Sequence, residues 1–261
     1  MPGIRPWNAR PSVYVLFMKI AAALRNTLQD FPGEIAAEIF TAGCNFRCPY
    51  CHARPIVSGI MPEISTDDFL SYCRDSMGWI TGVSICGGEP SLQQDLLPFM
   101  RQLKGMGLAI KIDTNGSRPD ILERILAEKL ADYAAMDIKG PPELWPQYTG
   151  MGADFPVDSV KESILLVRRF ERHEYRTTAA PVVRCGGGIT FITAAEIGEA
   201  ARFVAGITGD STHPYYIQRF VPRQGGLIDS RLERFTRTPD NLLAEMQSAA
   251  AKWLPNVQLR G

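Results

Sequence analysis

Apolar positions along the chain fall into two alternating patterns. Short β-rich runs occupy 35–40, 83–85, 109–113, 133–139, 175–182 and 215–220. Between them, apolar residues recur at three- and four-residue spacing, the mark of one buried helix face. Helices are predicted from Thr66 onward with Ser65 as N-cap, and over 95–103, 120–130, 160–169, 193–205 and 239–254. A serine before the first turn can accept from its free N–H groups. Pro119 suits the opening of its helix, and Gly105 and Gly107 end theirs. Residues 257–259 read as a last short strand. Strands alternating with helices require crossovers, so the sheet is predicted to be parallel with helices outside it. Six units are too few for a closed eight-stranded barrel. The predicted fold is therefore α/β, a single-domain, partial, open (β/α)6 barrel whose reactive residues gather just after the strands.

The chain has 261 residues, with 28 basic and 28 acidic side chains. Zero net charge leaves no electrostatic footprint for nucleic acid. No repeat, low-complexity stretch or long linker divides it. The apolar stretch 13–24 contains Lys19 and spans twelve residues, short of the ~20 needed to cross a bilayer. With Arg5 and Arg10 before it, it imitates a signal peptide. The cysteine pattern instead points to a metal site in a cytoplasmic protein, with an apolar first strand and no membrane partner.

Polar singularities do follow the strands. After the first comes Gly43-Cys44-Asn45-Phe46-Arg47-Cys48-Pro49-Tyr50-Cys51-His52. Thiolates hold iron–sulfur clusters, and three ligands on four irons leave one iron open. Zinc on Cys44, Cys48, Cys51 and His52 is the alternative, but the second ligand pair typical of zinc loops is missing. After the second strand comes Cys86-Gly87-Gly88-Glu89-Pro90, whose glycines permit close backbone approach to a ligand and whose glutamate can accept from an ammonium group. The third strand ends in Asp113-Thr114-Asn115-Gly116 and the fourth in Asp137-Ile138-Lys139. Alternation puts Asp137 and Lys139 on one face, where the lysine can bind a carboxylate. A solvated strand end or a structural ion pair is the bland alternative for each. Arg176, in Tyr175-Arg176-Thr177-Thr178, and Arg219 are weak signals singly. Cys73, on an apolar helical stripe, and Cys185, beside the flexible turn Gly186-Gly187-Gly188, read as structural; His173 and His213 read as surface or satisfied polar residues.

Taken together, Cys44-x-x-x-Cys48-x-x-Cys51 and Gly87-Gly88-Glu89-Pro90 in a βα-repeat chain resemble the radical S-adenosylmethionine (SAM) superfamily. Asp30-Phe31-Pro32-Gly33, the run from Phe40 to His52 and Tyr175-Arg176-Thr177-Thr178 resemble, more narrowly, the activating proteins of anaerobic ribonucleoside-triphosphate reductase, relatives of the pyruvate formate-lyase activating enzymes. The resemblance implies a [4Fe-4S] cluster on Cys44, Cys48 and Cys51, with SAM chelating the fourth iron. It implies SAM contacts from Gly87, Gly88, Glu89, Asp113, Asp137, Lys139 and Arg176. It implies reductive cleavage of SAM to a 5′-deoxyadenosyl radical, which takes a hydrogen atom from a glycine Cα in a loop of a partner glycyl-radical enzyme. A flavodoxin- or ferredoxin-type donor would supply the electron.

The chain departs from that pattern in places. Ala53 stands where the family usually has asparagine after Cys-His. Phe220-Val221-Pro222 stands where the formate-lyase relatives have a SAM-contacting histidine. Residues 1–17 precede the usual start, which Met18-Lys19-Ile20 resembles, and are expected to form an extension before a core of 18–261. A radical SAM enzyme acting on another small molecule or peptide is the second reading, and a non-enzymatic zinc- or cluster-binding module the third.

Overall fold

A computed structural model describes residues 18–60 and 64–261; the expected extension 1–17 lies outside them. The chain opens with β1 (Ile20–Thr27), β2 (Ala36–Thr41), α1 (Arg54–Val57), α2 (Thr66–Asp75) and β3 (Gly82–Gly87). It continues through α3 (Leu96–Gly105), β4 (Ala109–Thr114), α4 (Pro119–Ala127), β5 (Tyr133–Asp137), α5 (Trp145–Thr149), α6 (Val157–Val167) and β6 (Arg172–Ala179). After β7 (Pro181–Val183) and β8 (Ile189–Phe191) it ends with α7 (Ala194–Thr208), β9 (Tyr215–Arg219), α8 (Asp240–Ala250) and β10 (Val257–Arg260). One eight-stranded sheet has the order β1-β2-β3-β4-β5-β6-β9-β10. It is parallel except for β1, which runs antiparallel to β2. This is the expected open α/β barrel, with β1 as an added edge.

The helix-start signals at Ser65 and Pro119 act as read. Ser65 accepts from Asp68 N–H, and Pro119 occupies the first turn of α4. Thr193 forms a full capping box with Glu196 at the start of α7, and Glu196 also pairs with Arg184 of the β7–β8 turn. Thr193→Ala is expected to cost about 1 kcal/mol, or about 2–4 °C in Tm for a chain of this size, measurable by thermal unfolding.

The expected strand 175–182 is two elements. Ala180 turns back onto Thr178, and Pro181, with no N–H to give a parallel ladder, leaves the sheet to pair with β8. The Gly186-Gly187-Gly188 run turns this hairpin, with Gly186 and Gly187 at positive φ.

The two faces of the sheet differ. Ile39, Ile85, Ile110, Ile112, Ala134, Met136, Tyr175 and Ile217 are buried in the main core, which also takes in the apolar faces of the helices. Alternation puts Glu38, Ser84, Lys111, Asp113, Asp137, Glu174 and Arg176 on the other face, toward the lumen. The lumen's far end is plugged by Phe31, carried in by the β1–β2 connection and packed with Ala36, Tyr133 and Ala135. Arg172 lies over both aromatic rings. His173 and His213 are not simply surface residues: their rings join Nε2 to Nδ1 at 2.9 Å. Cys73 is buried in the main core, whereas Cys185 is exposed, against Gln147.

Candidate active site

The cysteine loop leaves β2 and the Gly-Gly-Glu-Pro turn leaves β3, and the two are stitched backbone to backbone. Gly88 N–H donates to Thr41 O at 2.8 Å and Glu89 N–H to Gly43 O at 2.9 Å. A Cβ on Gly88 would overlap the Gly43 carbonyl oxygen, and one on Gly87 would strike the backbone of Phe40 and Thr41. The expectation was that these glycines let backbone approach a ligand; in the structure the close approach is to the cysteine loop itself. That contact sets Cys44 directly beside the glutamate turn.

Glu89 is almost wholly buried, at 1% exposure. Its Oε1 accepts from Ser91 N–H (3.1 Å), Ser91 Oγ–H (2.6 Å) and Thr114 Oγ1–H (2.9 Å), while Oε2 accepts from Asn115 N–H (2.6 Å). Burial pushes its carboxyl up and these bonds oppose the shift. With one donor on Oε2, a lone pair remains there for a further donor.

The strand expected to run to Lys139 ends at Asp137, and Lys139, two residues on, still forms an ion pair with Asp137 at 3.0 Å. Arg176 forks across two strands, giving Nε to Asp137 (2.9 Å) and Nη1 to Asp113 (2.8 Å). Lys111 pairs with Asp113. Glu174 is held by both terminal guanidinium nitrogens of Arg260 and by the Tyr133 hydroxyl. Burial raises the Asp137 carboxyl, but Arg176 and Lys139 outweigh it and bring it down to about 2. Burial opposes the Lys139 charge, and Asp137 overcomes it, so the ammonium stays charged. Arg176, weak as a signal, is thus the hub between Asp113 and Asp137.

Sequence reasoning passed over several members. Lys111 and Glu174 each stand two residues from a residue it did single out, so the same alternation could have found them. Glu38, whose carboxyl burial pushes up to about 7, accepts from the Cys86 thiol at 3.2 Å. The Tyr50 hydroxyl is buried without a hydrogen-bond partner among the described residues and lies near the Cys48 thiol. Its ring packs on Tyr148 at 4.5 Å, and Lys139 Nζ is 5.8 Å from its centre.

Cys44, Cys48 and Cys51 are free thiols, Cys48 buried and the others half-buried. Burial pushes Cys44 up to about 12, so its thiolate needs a bound cation to form. Among the described residues, no three His, Cys, Asp or Glu side chains converge as ligands of a single ion. Three thiols on one loop, beside an orphaned hydroxyl and a charged lysine, suit a larger polynuclear group.

An open parallel barrel with a three-cysteine loop after β2 and Gly-Gly-Glu-Pro after β3 defines a class of radical enzyme. Residues 39–204 match the family model of the radical SAM superfamily, and the chain belongs to that superfamily. It is a radical SAM enzyme, working with a [4Fe-4S] cluster and S-adenosylmethionine. Among its relatives is a Methanocaldococcus jannaschii protein provisionally named a glycyl-radical enzyme activating enzyme, 30% identical over 88% of this chain and 91% of that protein. The 7-carboxy-7-deazaguanine synthase of Methanopyrus kandleri is 26% identical over 50% of this chain and 57% of that protein. Streptococcus suis SuiB, solved with S-adenosylmethionine bound, shares the fold at a TM-score of 0.61 and 12% identity. The match covers 84% of this chain but only 48% of SuiB, about half its length. Among the described residues, no helix is long and apolar enough to cross a membrane.

Proposed function

We propose that this enzyme is a glycyl-radical activase, most like the type that serves anaerobic ribonucleoside-triphosphate reductase. The observation that carries this reading is the extent of the similarity. The likeness to the provisionally named activating enzyme runs through nearly the whole of both chains, whereas that to the deazaguanine synthase covers half of this one.

In this reading Cys44, Cys48 and Cys51 hold the cluster as thiolates. Gly87 and Gly88 keep the Glu89 turn against the cysteine loop, and Glu89 Oε2 receives the SAM ammonium. Lys139 uses the N–H bonds left over from Asp137 to bind the SAM carboxylate. Asp113, Asp137 and Arg176 form the charged wall that holds Lys139 in place. When bound, the cluster and SAM supply a one-electron cleavage whose 5′-deoxyadenosyl radical takes a hydrogen atom from carbon. A buried, hydrogen-bonded site of this kind limits the access of water. The partner is a glycyl-radical enzyme presenting its glycine loop, and a flavodoxin- or ferredoxin-type protein is the electron donor.

The test is to mix reconstituted, reduced enzyme, SAM and a candidate glycyl-radical enzyme without oxygen. A glycyl-radical EPR doublet on the partner, with 5′-deoxyadenosine released in step, is the expected outcome. Release of 5′-deoxyadenosine without a radical on any such partner favours a small-molecule or peptide substrate instead. Separately, Lys139→Ala should raise the Kd for SAM about tenfold, the scale of one lost charge-assisted hydrogen bond. Iron per chain should stay unchanged; its loss would give Lys139 a structural role.

A further inference from the structure

We propose that Asn115 is a positioning residue of this centre: it clamps the cysteine loop to Glu89, and its amide N–H, directed at the Cys44 sulfur, raises the reduction potential of the cluster. This rests on reading Cys44 as a cluster ligand.

Asn115 follows β4 directly and is 7% exposed. Its side-chain Oδ1 accepts from Ser117 N–H at 2.9 Å, an Asx turn that pins the amide and decides which end is nitrogen. Nδ2 therefore faces the cysteine loop. It donates to Asn45 Oδ1 at 2.9 Å and lies 3.8 Å from Cys44 Sγ. Phe46 N–H reaches the same sulfur at 3.3 Å. Through its own backbone N–H, Asn115 also holds Glu89 Oε2 at 2.6 Å. One residue thus touches the cysteine loop and the carboxylate proposed to receive the SAM ammonium, and fixes the spacing between them.

The electrostatic consequence follows from charge. One-electron reduction adds negative charge to a cluster and its ligand sulfurs. An N–H aimed at such a sulfur stabilises that charge, so it favours the reduced form and raises the potential. The effect persists because the amide cannot turn away: Ser117 and Asn45 hold its two ends.

The test uses the full-length, reconstituted protein in an EPR-monitored redox titration without SAM. Asn115→Asp keeps the size and the acceptor for Ser117 but puts an anionic oxygen beside the sulfur. Asn115→Ser can close the turn but is too short to reach the sulfur. Both should be harder to reduce, Asn115→Asp more so. At the potential that half-reduces the wild type, the ratio of reduced to oxidised cluster in Asn115→Asp should fall about tenfold, a shift of about 59 mV for one electron. Midpoints equal to wild type in both variants overturn the proposal, whatever happens to Tm or iron content. Loss of the cluster from both also overturns it, because Asn115 would then serve assembly rather than potential. Failure of the underlying reading has a different signature: Cys44→Ala would keep a full cluster with the wild-type midpoint.

Discussion

Alanine at Cys44, Cys48 or Cys51 is expected to reduce SAM cleavage to background. Each of the three is a free thiol on the loop that leaves β2, and the nearby carboxylates are already engaged by other donors. Glu89 is saturated on one oxygen and held by Asn115 on the other. Asp137 and Asp113 are taken up by Arg176, Lys139 and Lys111. A cluster left with two thiolates would be lost or would exchange its irons. Iron and acid-labile sulfide per chain, together with 5′-deoxyadenosine released under reducing conditions, measure the outcome. Near-normal turnover in all three variants would falsify the radical assignment of this loop. Cys73→Ala is the contrasting case: that thiol lies in the apolar core, so the variant should cost some stability and leave turnover intact.

The second large effect is expected from a single methyl group. Gly88→Ala places a Cβ on the carbonyl of Gly43, 2.6 Å from its carbon. The obstacle is backbone, so no side chain can swing aside. The β3 turn and the cysteine loop must separate, breaking the bonds from Gly88 and Glu89 N–H to Thr41 and Gly43. Overpacking of this kind costs about 1–3 kcal/mol, and Tm should fall by several degrees, about 2–4 °C for each kcal/mol. Iron incorporation should fall with it, because Gly43 precedes the first cysteine. Gly105→Ala is the control. A Cβ there, at the end of α3, meets nothing within 4 Å, and removal of a helical glycine should leave stability unchanged or raise it by about 0.4–1 kcal/mol. If Gly88→Ala matches that control in Tm and iron content, the two loops are not coupled as described.

Much of the fold was readable because its signals are local. Ser65 and Pro119 mark helix starts through groups within one turn of themselves, and each apolar stripe lies within a single helix. The parallel direction of the strands follows from the crossovers, since parallel neighbours must be joined by one. The site motifs were readable for a related reason: each comes at or just after the end of a strand, and chain order carries them to one end of the barrel. The break at Ala180 and Pro181 was less visible, because Tyr175 to Val182 is β-rich throughout and only Pro181 hints that the ladder stops. Phe31 as the lumen plug could not be read, since a phenylalanine beside Pro32 and Gly33 looks like an ordinary turn until the barrel curves around it.

Residue type and spacing therefore decided the βα order and the superfamily motifs, both of which depend on neighbours a few positions away. Tertiary structure decided how the charges are distributed. Arg176 meets carboxylates 39 and 63 positions earlier in the chain. Glu89 takes donors from its own turn, from the end of β4 and from the residue after it, up to 26 positions on. Asn115 reaches back 70 positions to Asn45. Such partners are chosen by strand register and by the curvature that turns one face of the sheet into a lumen. Neither is written in any local run of residues, because buried charges take whichever opposite charge or hydrogen-bond donor the curved sheet brings within reach.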